Sequence, residues 1–138
     1  MGTWAVDAFG NDYAQDWAED LAQTSNLEAV ENTLDVALED PGRMLEAPFA
    51  AEALVAIEVL ARLQGKGGER SDDSAAVDDW VDARKAKARA RADLADKARR
   101  AIERILSEQS ELRELWAESE HYADWRASVE ALRGRIAA

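Results

Sequence analysis

The longest nonpolar stretch of the chain, Ala47–Gln64, carries only Glu52, Glu58 and Arg62 as charges. Apolar side chains therefore cover most of its circumference, which predicts a helix packed on by others rather than one lying at the surface. Pro48 suits the first helical turn, and Gly65, Gly67 and Gly68 supply a left-handed stop. The segments before it are amphipathic. Tyr13, Trp17 and Leu21 recur one turn apart on one side of a helix capped by Asn11 or Asp12, while Asp12, Asp16, Glu19 and Asp20 group on another. A second helix opens at the capping box Ser25–Glu28 and ends at Asp40-Pro41-Gly42. It buries Leu27, Val30, Leu34, Ala37 and Leu38, and turns Glu28, Glu31, Asp35 and Glu39 outward. Ahead of both, Trp4, Val6 and Ala8 alternate with the period of an extended segment, expected to cross the bundle with Trp4 and Phe9 inserted.

After a glycine- and serine-rich stretch, 65–74, read as a mobile loop, the pattern is helical to the end of the chain. One straight helix over Ala75–Ser107 would put Arg84, Lys87 and Arg91 on the face shared by Val77, Trp80, Val81, Leu94, Ile102 and Ile105. Burying unpaired cations costs more than alanine propensity returns, so a break is expected within 84–93, near Lys85–Ala92. The next helix carries Leu94, Ala98, Ile102, Ile105 and Leu106, with Asp93–Lys97 and Asp96–Arg100 pairs. Ser110 caps a short helix with Leu112, Leu115 and Trp116 facing in. The last helix, about Asp124–Arg135, has the stripe Trp125, Val129, Leu132 and Ile136. The prediction is a single all-α domain over 1–138: a bundle of six or seven helices around a buried central one, with a short extended N-terminal segment.

Charge divides the chain unevenly. Residues 1–83 hold four basic and nineteen acidic side chains, a balance of −15, and residues 84–138 hold thirteen and ten, a balance of +3. Such an acidic surface is repelled by nucleic acid and by anionic lipid, and invites a basic protein partner. No apolar run reaches the ~20 residues of a membrane span. The lack of cysteine and of a basic-then-apolar leader fits a cytoplasmic protein.

Candidate chemistry is sparse. Asn11, Asp12, Asp16, Glu58, Glu111 and Glu118 lie in or beside apolar segments. Of these, Glu58 is read either as paired with Arg62 one turn on or as a cap of the Asn11–Asp12 turn. The alternative is an interior carboxylate cluster around Glu58 and Asp12 that serves a small molecule, a metal or a reaction. His121, the only histidine, lies in a polar stretch and reads as a surface residue, and metal-ligand spacings are missing. No catalytic set, metal site or cofactor is expected, and the tryptophans read as core anchors. The basic run Arg84–Arg104 lacks interleaved aromatics, and is expected to meet the chain's own acids or those of a second copy in a homo-oligomer.

Three segments resemble the bacterial domain of unknown function 4259 family. They are Met1, Gly2, Trp4, Phe9, Asn11, Asp12, Asp16 and Trp17; the alanine-rich helix with Glu58; and Ser110, Glu111, Leu112, Leu115, Trp116 with Trp125. The chain departs from the family at Ala5, Gly10 and the Lys-Ala-Lys-Ala-Arg-Ala-Arg run after Trp80. The resemblance supports the helical fold and the break after Trp80, and implies no activity. The sequence thus favours a non-catalytic, immunity- or inhibitor-like interaction protein. Its binding face would be Asp12, Asp16, Glu19, Asp20, Glu28, Glu31, Asp35 and Glu39, with Asp72, Asp73, Asp78, Asp79 and Asp82 nearby.

Overall fold

The computed structural model describes residues 6–24, 26–40, 42–68, 70–84 and 92–136. Among them run seven helices: α1 (Asp12–Leu21), α2 (Glu28–Leu38), α3 (Ala47–Leu63), α4 (Ala75–Arg84), α5 (Ala92–Ile105), α6 (Glu111–Ala117) and α7 (Tyr122–Ile136). The centre is α3, against which α1, α2, α4, α5, α6 and α7 all pack. Thirteen of its seventeen side chains are buried, so the near-continuous apolar pattern of Ala47–Gln64 has the cause expected of it. Of the other four, Pro48, Glu52 and Leu63 are half-buried and Phe49, near its start, is exposed.

The start of α3 is closed by chain from elsewhere, its end by the residues that follow it. Leu45 N–H donates to the Gln109 carbonyl at 2.6 Å and Glu111 N–H to the Leu45 carbonyl at 2.9 Å, a two-bond parallel clip between distant segments. That clip sets the Glu111 carboxylate to accept from Ala47 N–H at 2.7 Å, filling a cap that Glu46 does not provide. Ser110 accepts from Arg113 N–H at 3.2 Å and caps α6. At the other end Gly65 takes φ +75°, the left-handed turn predicted for it.

The amphipathic stripes go where their periods put them. Trp17, Leu21, Val30, Leu34, Ala37, Leu94, Ala98, Ile102, Ile105, Leu106, Trp125, Val129, Leu132 and Ile136 are buried. Tyr13 and Leu115, expected to face in, are about half exposed, because each stands at the margin of its stripe. Asn11 caps α1, its Oδ1 accepting from Ala14 N–H at 2.8 Å. α2 begins at Glu28, whose N–H donates to Asn26 Oδ1, while Leu27 at the cap position gives no side-chain bond. The proposed capping residue Ser25 lies outside the described residues, as do Gly2, Trp4 and the segment 85–91 between α4 and α5. Of the expected extended segment, Val6–Gly10 instead runs through bends and turns, held by Phe9 N–H on Asp7 Oδ1 at 2.8 Å. Phe9 is buried as expected.

Two arginines of the basic run complete helix ends in place of local cations. Neither α1 nor α2 has a basic residue in its last turn. Arg104 of α5 donates to the carbonyls of Ala37, Glu39, Asp40 and Arg43 at 2.6–3.0 Å, in the last turn of α2 and just past it. Arg84 donates to the Thr24 carbonyl at 2.9 Å, past α1, with its guanidinium 4.6 Å from the Trp80 ring centroid. These two cations serve the negative ends of helices, while Lys97 and Arg100 of the same run meet acids.

Candidate functional site

Two groups of acids compete for a functional reading, one buried and one exposed. The buried group starts at Glu58, 4% exposed on α3. Arg62, one turn on, donates to Glu58 Oε2 through Nη1 and to Asp78 Oδ1 of α4 through Nε at 2.7 Å. Asp78 Oδ2 accepts from the Ser74 hydroxyl at 2.6 Å. Arg135 of α7 brings Nη2 to 2.7 Å from Glu58 Oε1, and Arg70 stands 4.0 Å from Asp78. The Arg62 guanidinium also lies 5.0 Å from the Phe9 ring centroid. Two carboxylates and two arginines thus close a chain of charges joining α3, α4 and α7. Gly67, Gly68 and Arg70 of the loop after α3 lie against it. A Cβ on Gly67 would stand 2.5 Å from Arg62 Cγ, so the close approach needs glycine. Within that loop Arg70 forks onto Asp82 at 3.0 and 3.1 Å, and Gln15 Nε2 donates to the Asp73 carbonyl.

A cavity of about 240 Å³ reaches this cluster, with Phe9, Leu54, Glu58, Ser71, Leu132 and Arg135 among its walls. Both Glu58 oxygens face guanidinium groups, so a ligand cation there would compete with Arg62 and Arg135. Asp12, the other half of the proposed interior pair, is exposed on α1. Among the described residues no group of three or more acids, histidines or cysteines converges on a metal position. Asp78, which the sequence pattern places with the surface acids, is instead 5% exposed, because it answers Arg62. Its place between Val77 and Val81 on the inner side of α4 was the available signal. Nothing in the sequence pointed to Arg135.

The exposed group lies on α1 and α2. Asp12, Asp16, Glu19 and Asp20 are exposed, and none pairs with a cation among the described residues. The acids of α2 are partly answered: Lys97 of α5 reaches Asp35 at 2.7 Å and Glu31 at 3.9 Å. The Asp35 hydrogen bond raises the Lys97 pKa. Asp93, the partner the sequence offers Lys97 within its own helix, adds attraction, while the hydrogen bond goes to Asp35 of α2. Glu28 and Glu39 remain exposed. On α3, Glu52 has its pKa raised, first by burial and then by repulsion from Asp20 of α1.

The segments carrying the sequence resemblance fall into place around these two groups. Phe9 backs Arg62, Asn11 caps α1, and Trp17 donates to the Thr33 hydroxyl at 2.8 Å. Ser110 and Glu111 cap α6 and α3, Leu112 is half-buried, and Trp116 stacks on the buried Trp125 with centroids 6.4 Å apart. Residues 2–128 match the family described as Domain of unknown function (DUF4259). The chain belongs to this family. No curated protein and no solved structure is detectably similar to it. Of the residues that carry the resemblance, Phe9, Asn11, Trp17, Glu58, Ser110, Glu111, Trp116 and Trp125 act in capping, in packing or in the buried charge cluster, while Asp12, Asp16 and Leu115 are exposed. His121 is exposed between α6 and α7, and among the described residues no helix is long and apolar enough to cross a membrane.

Proposed function

We propose that this DUF4259 member is a non-catalytic cytoplasmic interaction protein that receives a basic protein partner on the carboxylate face of α1 and α2, in the manner of an immunity or inhibitor protein. One observation carries the reading: α1 holds four exposed carboxylates that no described cation answers, while cations elsewhere are spent on α2, α4 and helix ends. Fixed charges on a rigid helix cost nothing to organise when a cationic surface arrives, and they speed the encounter. The buried acids suit catalysis less well, since arginines hold them as structural ion pairs.

The test is a pull-down from the native cell with wild-type protein and with the triple variant Asp16→Asn, Glu19→Gln, Asp20→Asn. These three lie toward the negative end of α1, so neutralising them relieves the helix dipole and leaves the fold intact. A partner captured at low salt, released by added salt and missed by the variant is the expected result. Equal capture by the variant would remove the proposal.

A further inference from the structure

We propose that the shallow groove between α2 and α3 is the point at which the partner docks, and that it takes a cationic amphipathic segment: an arginine or lysine beside an apolar side chain. This rests on the acidic-face reading and names the place and the chemistry of contact. The groove, about 140 Å³, is lined by Asn32, Thr33, Val36, Phe49 and Glu52. Val36 and Phe49 come from different helices and are each 40% exposed, two of the few large apolar side chains left in water. Trp17 holds Thr33 by a hydrogen bond, which brings α1 alongside the groove. Asp20 is then close enough to repel Glu52, and neither of these carboxylates pairs with a described cation.

Charge complementarity selects the occupant. A guanidinium or ammonium between Asp20 and Glu52 would relieve their repulsion, while its stem and an apolar neighbour cover Val36 and Phe49. An acidic segment would add to the repulsion. A purely apolar one would strip water from Glu52 without replacing it.

The full chain is titrated at low salt with three labelled synthetic peptides and followed by fluorescence anisotropy: alternating arginine–leucine, arginine–glycine, and citrulline–leucine. The arginine–leucine peptide is expected to bind about tenfold or more tightly than the other two. Phe49→Ser and Glu52→Gln should each weaken it several-fold, with circular dichroism unchanged because Phe49 is exposed and Glu52, half-buried, has no described cation to lose, and Glu118→Gln should do nothing. Equal binding of the arginine–glycine peptide would reduce the contact to bare charge and overturn the groove. So would binding that is lost in the α1 triple variant but kept in Phe49→Ser and Glu52→Gln, an outcome that leaves the acidic-face reading standing. If none of the peptides binds, the groove proposal is overturned, and the pull-down alone decides the wider reading.

Discussion

Two glutamates on α3 show how one residue type takes opposite roles within a single helix. Glu58 is buried between Arg62 and Arg135, so its charge is held by partners whose own desolvation has already been met. Breaking a buried pair from one side leaves charge uncompensated, and Glu58→Gln should cost about 3 kcal/mol of unfolding free energy by urea denaturation. Glu52 is half-buried beside Asp20 with a pKa raised by burial and then by that neighbour. A carboxyl whose folded pKa is raised contributes stability below its unfolded value of 4.5 and loses it as pH climbs through the folded one. At pH 7, therefore, Glu52→Gln should stabilise slightly, by less than about 0.5 kcal/mol given its exposure, and the gain should vanish at acid pH. A loss of stability from Glu52→Gln at neutral pH would mean that the repulsion with Asp20 is not felt.

At the scale of the element, helix ends are finished by residues distant in sequence. Arg104 serves one carbonyl in the last turn of α2 and three beyond it, and Glu111 serves the first N–H of α3. Hydrogen bonds from a charged donor are worth roughly 1.5–3 kcal/mol each when lost, but those at the exposed carbonyls are exchanged for water. Arg104→Ala should accordingly cost about 2–4 kcal/mol in total. Arg104→Lys should recover only part of it, because an ammonium cannot spread over four acceptors as a planar guanidinium does. Thermal melts of the two variants decide this; equal stability of lysine and arginine would mean that charge alone, not the fork, closes α2. The periodic stripes made these helices legible, while their caps were legible only where the capping residue was adjacent. Asn11 and Ser110 were visible in the sequence for that reason. Glu111, sixty-four residues from the N–H it caps, was not.

For the whole molecule, the formal charge of −12 sets up self-repulsion that the described ion pairs only partly offset. Exposed pairs contribute about 0–1 kcal/mol each, and salt screens them together with the repulsion. The buried Glu58–Arg62–Asp78 cluster is shielded from that screening. Adding salt up to about 0.2 M should therefore raise the melting temperature as repulsion between α1, α2 and α3 fades, while the same salt releases a basic partner. A melting temperature that falls over this range would place more of the stability in surface pairs than their geometry allows.

The helical class, the buried position of Ala47–Leu63 and the inner face of most of the helices around it were legible in the linear chain. Those follow from local composition and period, which need no knowledge of neighbours. The period also showed which carboxylates lie on the outer faces of α1 and α2. Which charges meet was set by packing. Asp78 and Arg135 join Glu58 and Arg62, Lys97 turns to Asp35, and Val36, Phe49 and Glu52 come together beside Asp20. A charged side chain ends where a partner and a low-dielectric surrounding coincide, and that coincidence exists only once helices far apart in the chain have packed.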